Sequence, residues 1–343
     1  MSSAWSASRV AVHWWAVLTA VLTFVLLCTG GLVTSHGAGM AVPDWPNSFG
    51  YNMFLFPISR WVEGIFYEHT HRLIASGIGL MTVVLSVALW LVEPRRWVKV
   101  FAVAALIAVC LQGVLGGLRV VLIKDEIGVF HALLAQSFFV AISILAIVTS
   151  RSFAEKRWAD YEPHPTLRWW ALAVTALIFV QLGIGATMRH EHIGLSIPDF
   201  PLAYGDWLPD TSTEAIERIN AQRVADGEMK TNAVQIWVQM AHRLLALFIA
   251  LAVGFFAWKA RRSARVIRGW SWLWIAMILL QIGLGAWTIW SAKAADVATA
   301  HMALGALSLL VGAVLAFRLF CGARIRDFVL PDDVNRGLIE RVA

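Results

Sequence analysis

The chain has 343 residues, 59% of them hydrophobic and 15% charged, with a mean hydropathy of +0.68. That balance excludes an ordinary soluble domain and requires repeated membrane crossings. The net charge of +6 comes from Lys and Arg clustered between apolar runs, and the lack of a continuous basic face excludes nucleic acid as a partner.

Eight apolar stretches are each long enough to cross a bilayer, which takes about 20 helical residues. They lie near 11–34, 66–92, 97–118, 127–149, 168–187, 234–258, 269–290 and 297–320. The first lacks the small-residue cleavage pattern of a secretory signal and reads as a retained span. Positive charge alternates between the connections. Arg95, Arg96 and Lys99 follow the second span; Arg151, Lys156, Arg157 and Arg168 follow the fourth. Lys259, Arg261, Arg262, Arg265 and Arg268 follow the sixth, and Arg318, Arg324 and Arg326 lie at the tail. The positive-inside rule then places both termini in the cytoplasm of a multi-pass plasma-membrane protein, with the long connections 35–65 and 188–233 outside. Many of the 18 Trp flank the spans, as interfacial belts do. The three cysteines, Cys28, Cys110 and Cys321, are scattered, so neither an iron–sulfur nor a zinc framework is indicated.

The chain repeats itself. Pro43-Asp44-Trp45-Pro46 matches Pro198-Asp199-Phe200-Pro201. Glu68-x-x-His71-Arg72-Leu73 matches Gln239-x-x-His242-Arg243-Leu244. Gln112-Gly113-Val114-Leu115-Gly116-Gly117 matches Gln281-Ile282-Gly283-Leu284-Gly285-Ala286, and His131 matches His301. Four spans per half is an even number, so both halves take the same orientation, as a parallel repeat about an axis along the membrane normal. The expected fold is an all-α polytopic membrane protein with eight transmembrane helices in two four-helix bundles, residues 1–150 and 151–343. The polar stretch 210–232 interrupts the repeat and reads as a solvated surface helix without a site.

His71, His131, His242 and His301 each lie a turn or two inside an even-numbered span, near the outer face. Ionisable groups at membrane depth are costly and mark function. Two imidazoles per half, on two helices, are what axial ligation of one haem iron per half needs. Arg72 and Arg243 adjoin the first histidine of each pair and suit a haem propionate. Hydrogen-bonded interior histidines are the plain alternative. Zinc or copper would want further Cys or carboxylate ligands, and only Glu68 is near. Gly77, Gly79, Gly113, Gly116, Gly117, Gly283, Gly285 and Gly305 leave room for a flat macrocycle or for close helix packing. His13, His36, His69, His164, His190 and His192 read as non-ligands, with His36, His190 and His192 in outer loops. Only the first half has a carboxylate, Glu68, one turn from its histidine, where the second half has Gln239. That asymmetry predicts a permanent electron-transfer haem in the second half and a transformed porphyrin in the first. Glu68 would take a proton or stabilise positive charge on the porphyrin edge, besides pairing with Arg72.

This constellation resembles the haem A synthase family over nearly the whole chain. The most specific elements are Glu68-x-x-His71-Arg72, His131, His242-Arg243, His301 and the run Gly39-Met40-Ala41-Val42-Pro43-Asp44-Trp45-Pro46. The resemblance implies oxidation of the C8 methyl of haem O to a formyl group by successive hydroxylations, giving haem A for cytochrome oxidase. It implies haem b on His242 and His301, the substrate haem on His71 and His131, and Glu68 as the essential acidic group. It also implies a haem O synthase, a membrane farnesyltransferase for haem, as upstream partner, and cytochrome oxidase assembly factors alongside. Surrounding lipid and tight helix packing allow a homo-oligomer. Many bacterial members carry two cysteines in the first outer loop. This chain has none between Cys28 and Cys110, which rules out a redox-active loop disulfide. Two other functions fit parts of the pattern. A di-haem b-type cytochrome would use the four histidines but gains little from Glu68. A secondary transporter would want broken helices and midplane polar groups.

Overall fold

The computed structural model describes residues 7–155 and 166–329, with side chains to residue 322. Lys156, Arg157 and His164 lie outside the described residues, as do the side chains of Arg324 and Arg326. The helices are α1 (Ala7–Ser35), α2 (Glu63–Val92), α3 (Arg96–Leu122), α4 (Asp125–Val148), the short α5 (Arg151–Ala154), α6 (Leu167–His190), α7 (Thr213–Ala225), α8 (Ala233–Ala260), α9 (Arg265–Trp290) and α10 (Ala295–Val329). Eight are long and apolar enough to cross a membrane, α10 over Ala295–Gly322. They coincide with the eight expected spans.

The ends differ by about a turn. α3 continues to Leu122 and α6 to His190, past the points where hydropathy falls. Arg119, Arg189 and His190 extend these helices because their backbone still makes helical hydrogen bonds and their side chains pack on neighbours, the His190 ring against Gly128 and the Arg119 guanidinium against Gly39. His190, expected in an outer loop, is therefore the last residue of α6, and it is buried.

The four odd spans end alike. In α1, Ala38 N–H bonds Val33 O (2.8 Å) and Gly37 N–H bonds Thr34 O (3.1 Å), with Gly37 at φ +63°. This is the left-handed cap that closes a helix C-terminus. His192 (φ +59°) takes the same place after α6, Ile123 (φ +52°) after α3 and Ala292 (φ +50°) after α9. Each cap turns the chain at one end of the bundle. Only Gly37 adopts that backbone without a Cβ penalty.

Helices α1, α2, α3 and α4 pack in a closed ring, α1 touching both α2 and α4. Helices α6, α8, α9 and α10 do the same, and α1, α4, α6 and α10 meet between the two sets. One apolar cluster includes Leu85, Leu89, Ala102, Ile142 and Leu145; another includes Leu167, Phe256, Trp274 and Leu315. Phe256 and Trp274 meet edge to face at 5.6 Å. Lipid is as apolar as these side chains, so close packing and interhelical hydrogen bonds hold the helices together. Ser86 Oγ bonds Ala102 O (3.1 Å), His13 Nδ1 bonds Ala146 O (3.0 Å) and Arg95 bonds Val148 O (2.7 Å). Between the two sets, Arg189 donates to Gly31 O and Ser35 Oγ, and Met302 lies against Gly31. The stretch 210–232 does contain a surface helix, α7, capped by Ser212 on Ala215 N–H. Arg223 ties it down through Leu195 O (2.9 Å).

Candidate functional site between the outer loops and the helices

His71, His131, His242 and His301 sit on α2, α4, α8 and α10, each roughly two turns from the helix start. The His242 and His301 rings face each other with centroids 6.5 Å apart and planes at 63°. Two metal–imidazole bonds of about 2 Å each, plus the ring radii, fill such a gap. His71 lies within electrostatic range of His131.

Each ring rests on a glycine of the preceding span. A Cβ on Gly30 would come within 3.0 Å of His71 Cε1, and one on Gly116 within 3.2 Å of His131. For Gly185 and His242 the distance is 3.3 Å, and for Gly285 and His301 it is 3.1 Å. All are tighter than ordinary van der Waals contact. A Cβ at Gly77, Gly79, Gly113 or Gly283 would meet nothing within 4 Å. Of the glycines expected to make room, Gly116 and Gly285 thus touch the histidines. Gly30 and Gly185 do so as well and were missed. The spacing Gln-x-x-x-Gly recurs at 112/116, 181/185 and 281/285 and carried the signal.

The ring nitrogens of His71 and His301 are oriented for ligation, whereas Nδ1 of His131 and of His242 is buried without a hydrogen-bond partner. His301 Nδ1 bonds the Gln281 carbonyl (3.1 Å). A carbonyl only accepts, so Nδ1 carries the proton and Nε2 the lone pair, the usual arrangement of a metal-binding histidine. Thr29 Oγ1 donates to Leu26 O (2.9 Å) and so accepts from His71 Nδ1 (3.2 Å). No described residue hydrogen-bonds Nε2 in any of the four. Gln281 Nε2 donates to His301 O and Gln181 Nε2 to His242 O, both at 2.8 Å. Among the described residues no group of three or more His, Cys, Asp or Glu could hold a metal ion. Two imidazoles without a third ligand suit a metal that brings its other ligands with it, as haem iron does, and do not suit zinc.

The outer loops are built twice to one plan. Asp44 accepts from Phe49 N–H (2.7 Å) and Gly50 N–H (2.8 Å), and Asp199 from Tyr204 N–H (2.8 Å) and Gly205 N–H (2.9 Å). Burial opposes ionisation of Asp44, but the Gly50 and Phe49 N–H groups outweigh it and hold the carboxyl below its usual range. Trp45-Pro46 and Phe200-Pro201 are both cis. Arg72 donates to the carbonyls of Val42 (2.7 Å), Asp44 (2.6 Å) and Asn47 (3.2 Å), and Arg243 to those of Asp199 (2.7 Å) and Leu202 (2.8 Å). These guanidiniums staple the loops to α2 and α8. Trp45 packs flat against Gly117, beside Gly116, whereas Phe200 meets Trp290 edge to face at 6.1 Å.

Glu68 and Gln239 occupy one position in this plan. Glu68 is 4% exposed and accepts from Val42 N–H (2.8 Å), while Gln239 is 1% exposed and accepts from Ile197 N–H (2.8 Å). Each therefore anchors the residue just before the Pro-Asp pair. They differ in their second bond. Glu68 pairs with Arg72 (2.5 Å), and Gln239 donates its own N–H to Ile197 O (3.0 Å). Holding the loop thus needs only an acceptor, and the first half adds a buried negative charge.

The remaining described histidines have structural surroundings. His69 Nδ1 meets Ser48 Oγ (3.2 Å) between Phe56 and Trp61; His36 stacks on Tyr67 at 4.0 Å. His190 packs against Gly128.

Comparison with known proteins follows the same outline. The model of the cytochrome oxidase assembly protein family (COX15-CtaA) matches residues 13–314, so the chain belongs to that family. It is 27% identical over 322 residues to a heme A synthase of Lysinibacillus sphaericus, covering 91% of this chain and 95% of that one. It is 28% identical to a heme A synthase of a Caulobacter species over 345 aligned positions, covering 89% and 94%. A heme A synthase of Halalkalibacterium halodurans is 31% identical over 202 residues, covering 56% and 64%.

Proposed function

We propose that this chain is an oxidoreductase that converts the C8 methyl of haem O to a formyl group, producing haem A for cytochrome oxidase. The observation that carries the reading is the exchange of a carboxylate for an amide between two matched sites, Glu68 against Gln239, beneath loops of the same design. His242 and His301 hold the resident haem b, whose chemistry when bound is one-electron transfer. His71 and His131 hold the substrate haem O. His71 and His301, one histidine of each pair, offer Nε2 toward a metal from a ring held through Nδ1. Arg72 and Arg243 stay beside the porphyrin of their half. Arg72 has its N–H groups committed to loop carbonyls and Glu68 and acts on a propionate through charge, whereas Arg243 keeps its Nε–H without a partner.

Glu68 is the group that the first half alone possesses. Its carboxyl accepts three N–H donors, one from Val42 and two from Arg72. A fixed negative charge one turn from His71 stabilises positive charge developing at the porphyrin edge as the methyl group is oxidised. The family match and the heme A synthase relatives support the same reaction. The basic connections between α2 and α3 and between α8 and α9 lie at the end away from the histidines, where Arg261 lies over Trp258 (4.5 Å) and Lys99 over Trp90 (5.6 Å). This supports cytoplasmic termini and haem sites toward the outer face. A haem O synthase in the same membrane is the fitting source of substrate.

The test is extraction and chromatography of haem from protein made in a host that supplies haem O, beside a Glu68→Ala variant. The wild type yields haem A or hydroxylated intermediates, and the variant accumulates haem O. Only unmodified haem B from both, at about two per chain as two bis-imidazole sites hold, identifies a di-haem electron carrier instead.

A further inference from the structure

The four histidine sites share their glycine support but differ in what holds the backbone of the ligand itself. In the second half, a glutamine one turn before the glycine reaches across to the next helix. Gln181 Nε2 donates to His242 O and Gln281 Nε2 to His301 O, each at 2.8 Å. In the first half no described residue on another helix bonds His71 O or His131 O. Leu26 stands where the second half has Gln181, at the same distance before the Pro-Asp pair. Gln112 stands where the second half has Gln281, yet it makes no bond to His131 O; its Oε1 is buried without a partner, as are those of Gln181 and Gln281.

A side-chain amide on the ligand's own carbonyl ties two helices together at the level of the iron. The bonds hold the His242 turn of α8 to α6 and the His301 turn of α10 to α9, so moving either turn away from the iron requires breaking a bond where no water competes for it. Two such bonds guard His242 and His301, and none guards His71 and His131. We propose that Gln181 and Gln281 are positioning residues that retain the second porphyrin, and that their absence at His71 and His131 leaves the first site free to exchange substrate for product. The proposal rests on the reading of the four histidines as haem ligands. It adds a reason, independent of Glu68, why one half keeps its porphyrin and the other releases it.

Haem transfer from the full-length, haem-loaded protein to excess apomyoglobin, followed by absorbance, tests it. Two phases are expected: a fast one that His131→Ala removes and a slow one that His242→Ala removes. Gln181→Leu and Gln281→Leu each accelerate the slow phase roughly 3- to 15-fold, the equivalent of one interhelical hydrogen bond in a membrane, and leave the fast phase unchanged. Gln112→Leu, the same substitution at a matching position without the bond, changes neither phase. Leu26→Gln slows the fast phase, which keeps the proposal testable should a second-half variant fold poorly. Equal acceleration of both phases in Gln281→Leu, or an effect of Gln112→Leu matching it, overturns the retention role while the ligand assignment stands. A slow phase that survives His242→Ala overturns the ligand assignment and the retention role with it.

Discussion

Around their paired histidines the two halves of this molecule follow one plan and differ at a few telling positions. Both lay two imidazoles against glycines, both fold a Pro-Asp loop over the helix ends, and both anchor that loop from a buried position one turn before the first histidine. One half places a carboxylate at the anchor and leaves its histidine backbones unheld. The other places an amide there and holds both. A duplicated frame thus shows which features serve folding, because they recur, and which serve a particular chemistry, because they do not.

The largest test of the comparison removes a ligand. His301→Ala or His242→Ala should abolish the low-spin b-type spectrum of the purified protein, and His71→Ala should leave it in place. A full spectrum in His242→Ala would detach the resident haem from the second half. Exchanging the anchors comes next. Glu68→Gln keeps an acceptor for Val42 N–H, so the protein should assemble and hold haem, yet turnover should fall about 10²- to 10³-fold, the usual cost of removing one electrostatic contribution to a transition state. Gln239→Glu puts a carboxylate oxygen against Ile197 O, where the amide now donates, so it should destabilise the second loop and give no gain in turnover. Full activity in Glu68→Gln would reduce Glu68 to a loop anchor like its counterpart.

The staples should differ in the same direction. Arg72→Ala leaves the buried Glu68 charge uncompensated, at a cost of about 3–5 kcal/mol. Arg243→Ala removes two bonds to carbonyls and strands no charge, a loss of about 2–3 kcal/mol. Thermal inactivation in detergent should therefore fall further for Arg72→Ala. Equal losses would mean that the Glu68–Arg72 pair adds nothing beyond the loop bonds.

Much of this was legible in the chain itself. Eight spans follow from apolar runs, and the four histidines stand out because an imidazole in such a run is rare. The matching loops show through Pro43-Asp44 and Pro198-Asp199. Other parts were not legible, for physical reasons. Arg72 and Arg243 spend their donors on backbone carbonyls some 25–44 positions away, and a carbonyl has no sequence signature. His190 was misplaced because hydropathy ends before the helix does. Gly30 and Gly185 escaped because the repeat was traced through the third and seventh spans and not through the first and fifth. The Gln-x-x-x-Gly spacing at 181/185 was visible, but its purpose appears only when the next helix is alongside.

The smallest expected effect concerns the first loop alone. Asp44 has its pKa lowered from an ordinary value of 3.8 because Gly50 and Phe49 N–H groups hold its charged form against the cost of burial. A depressed folded-state pKa stabilises the fold above the unfolded value, and that stabilisation is lost as pH falls through the folded value. The loop over the first site should therefore be unaffected by pH in the neutral range and should loosen only in acid, below the usual carboxylate range. Loosening would free Trp45 from Gly117, so its fluorescence reports the event when other tryptophans are subtracted with a Trp45→Phe control. Asp44→Asn should show the loosened signal already at neutral pH, because an amide cannot hold two N–H donors with a full negative charge. An acid transition that persists unchanged in Asp44→Asn would assign it to another carboxylate and remove Asp44 from the description of how the first loop is closed.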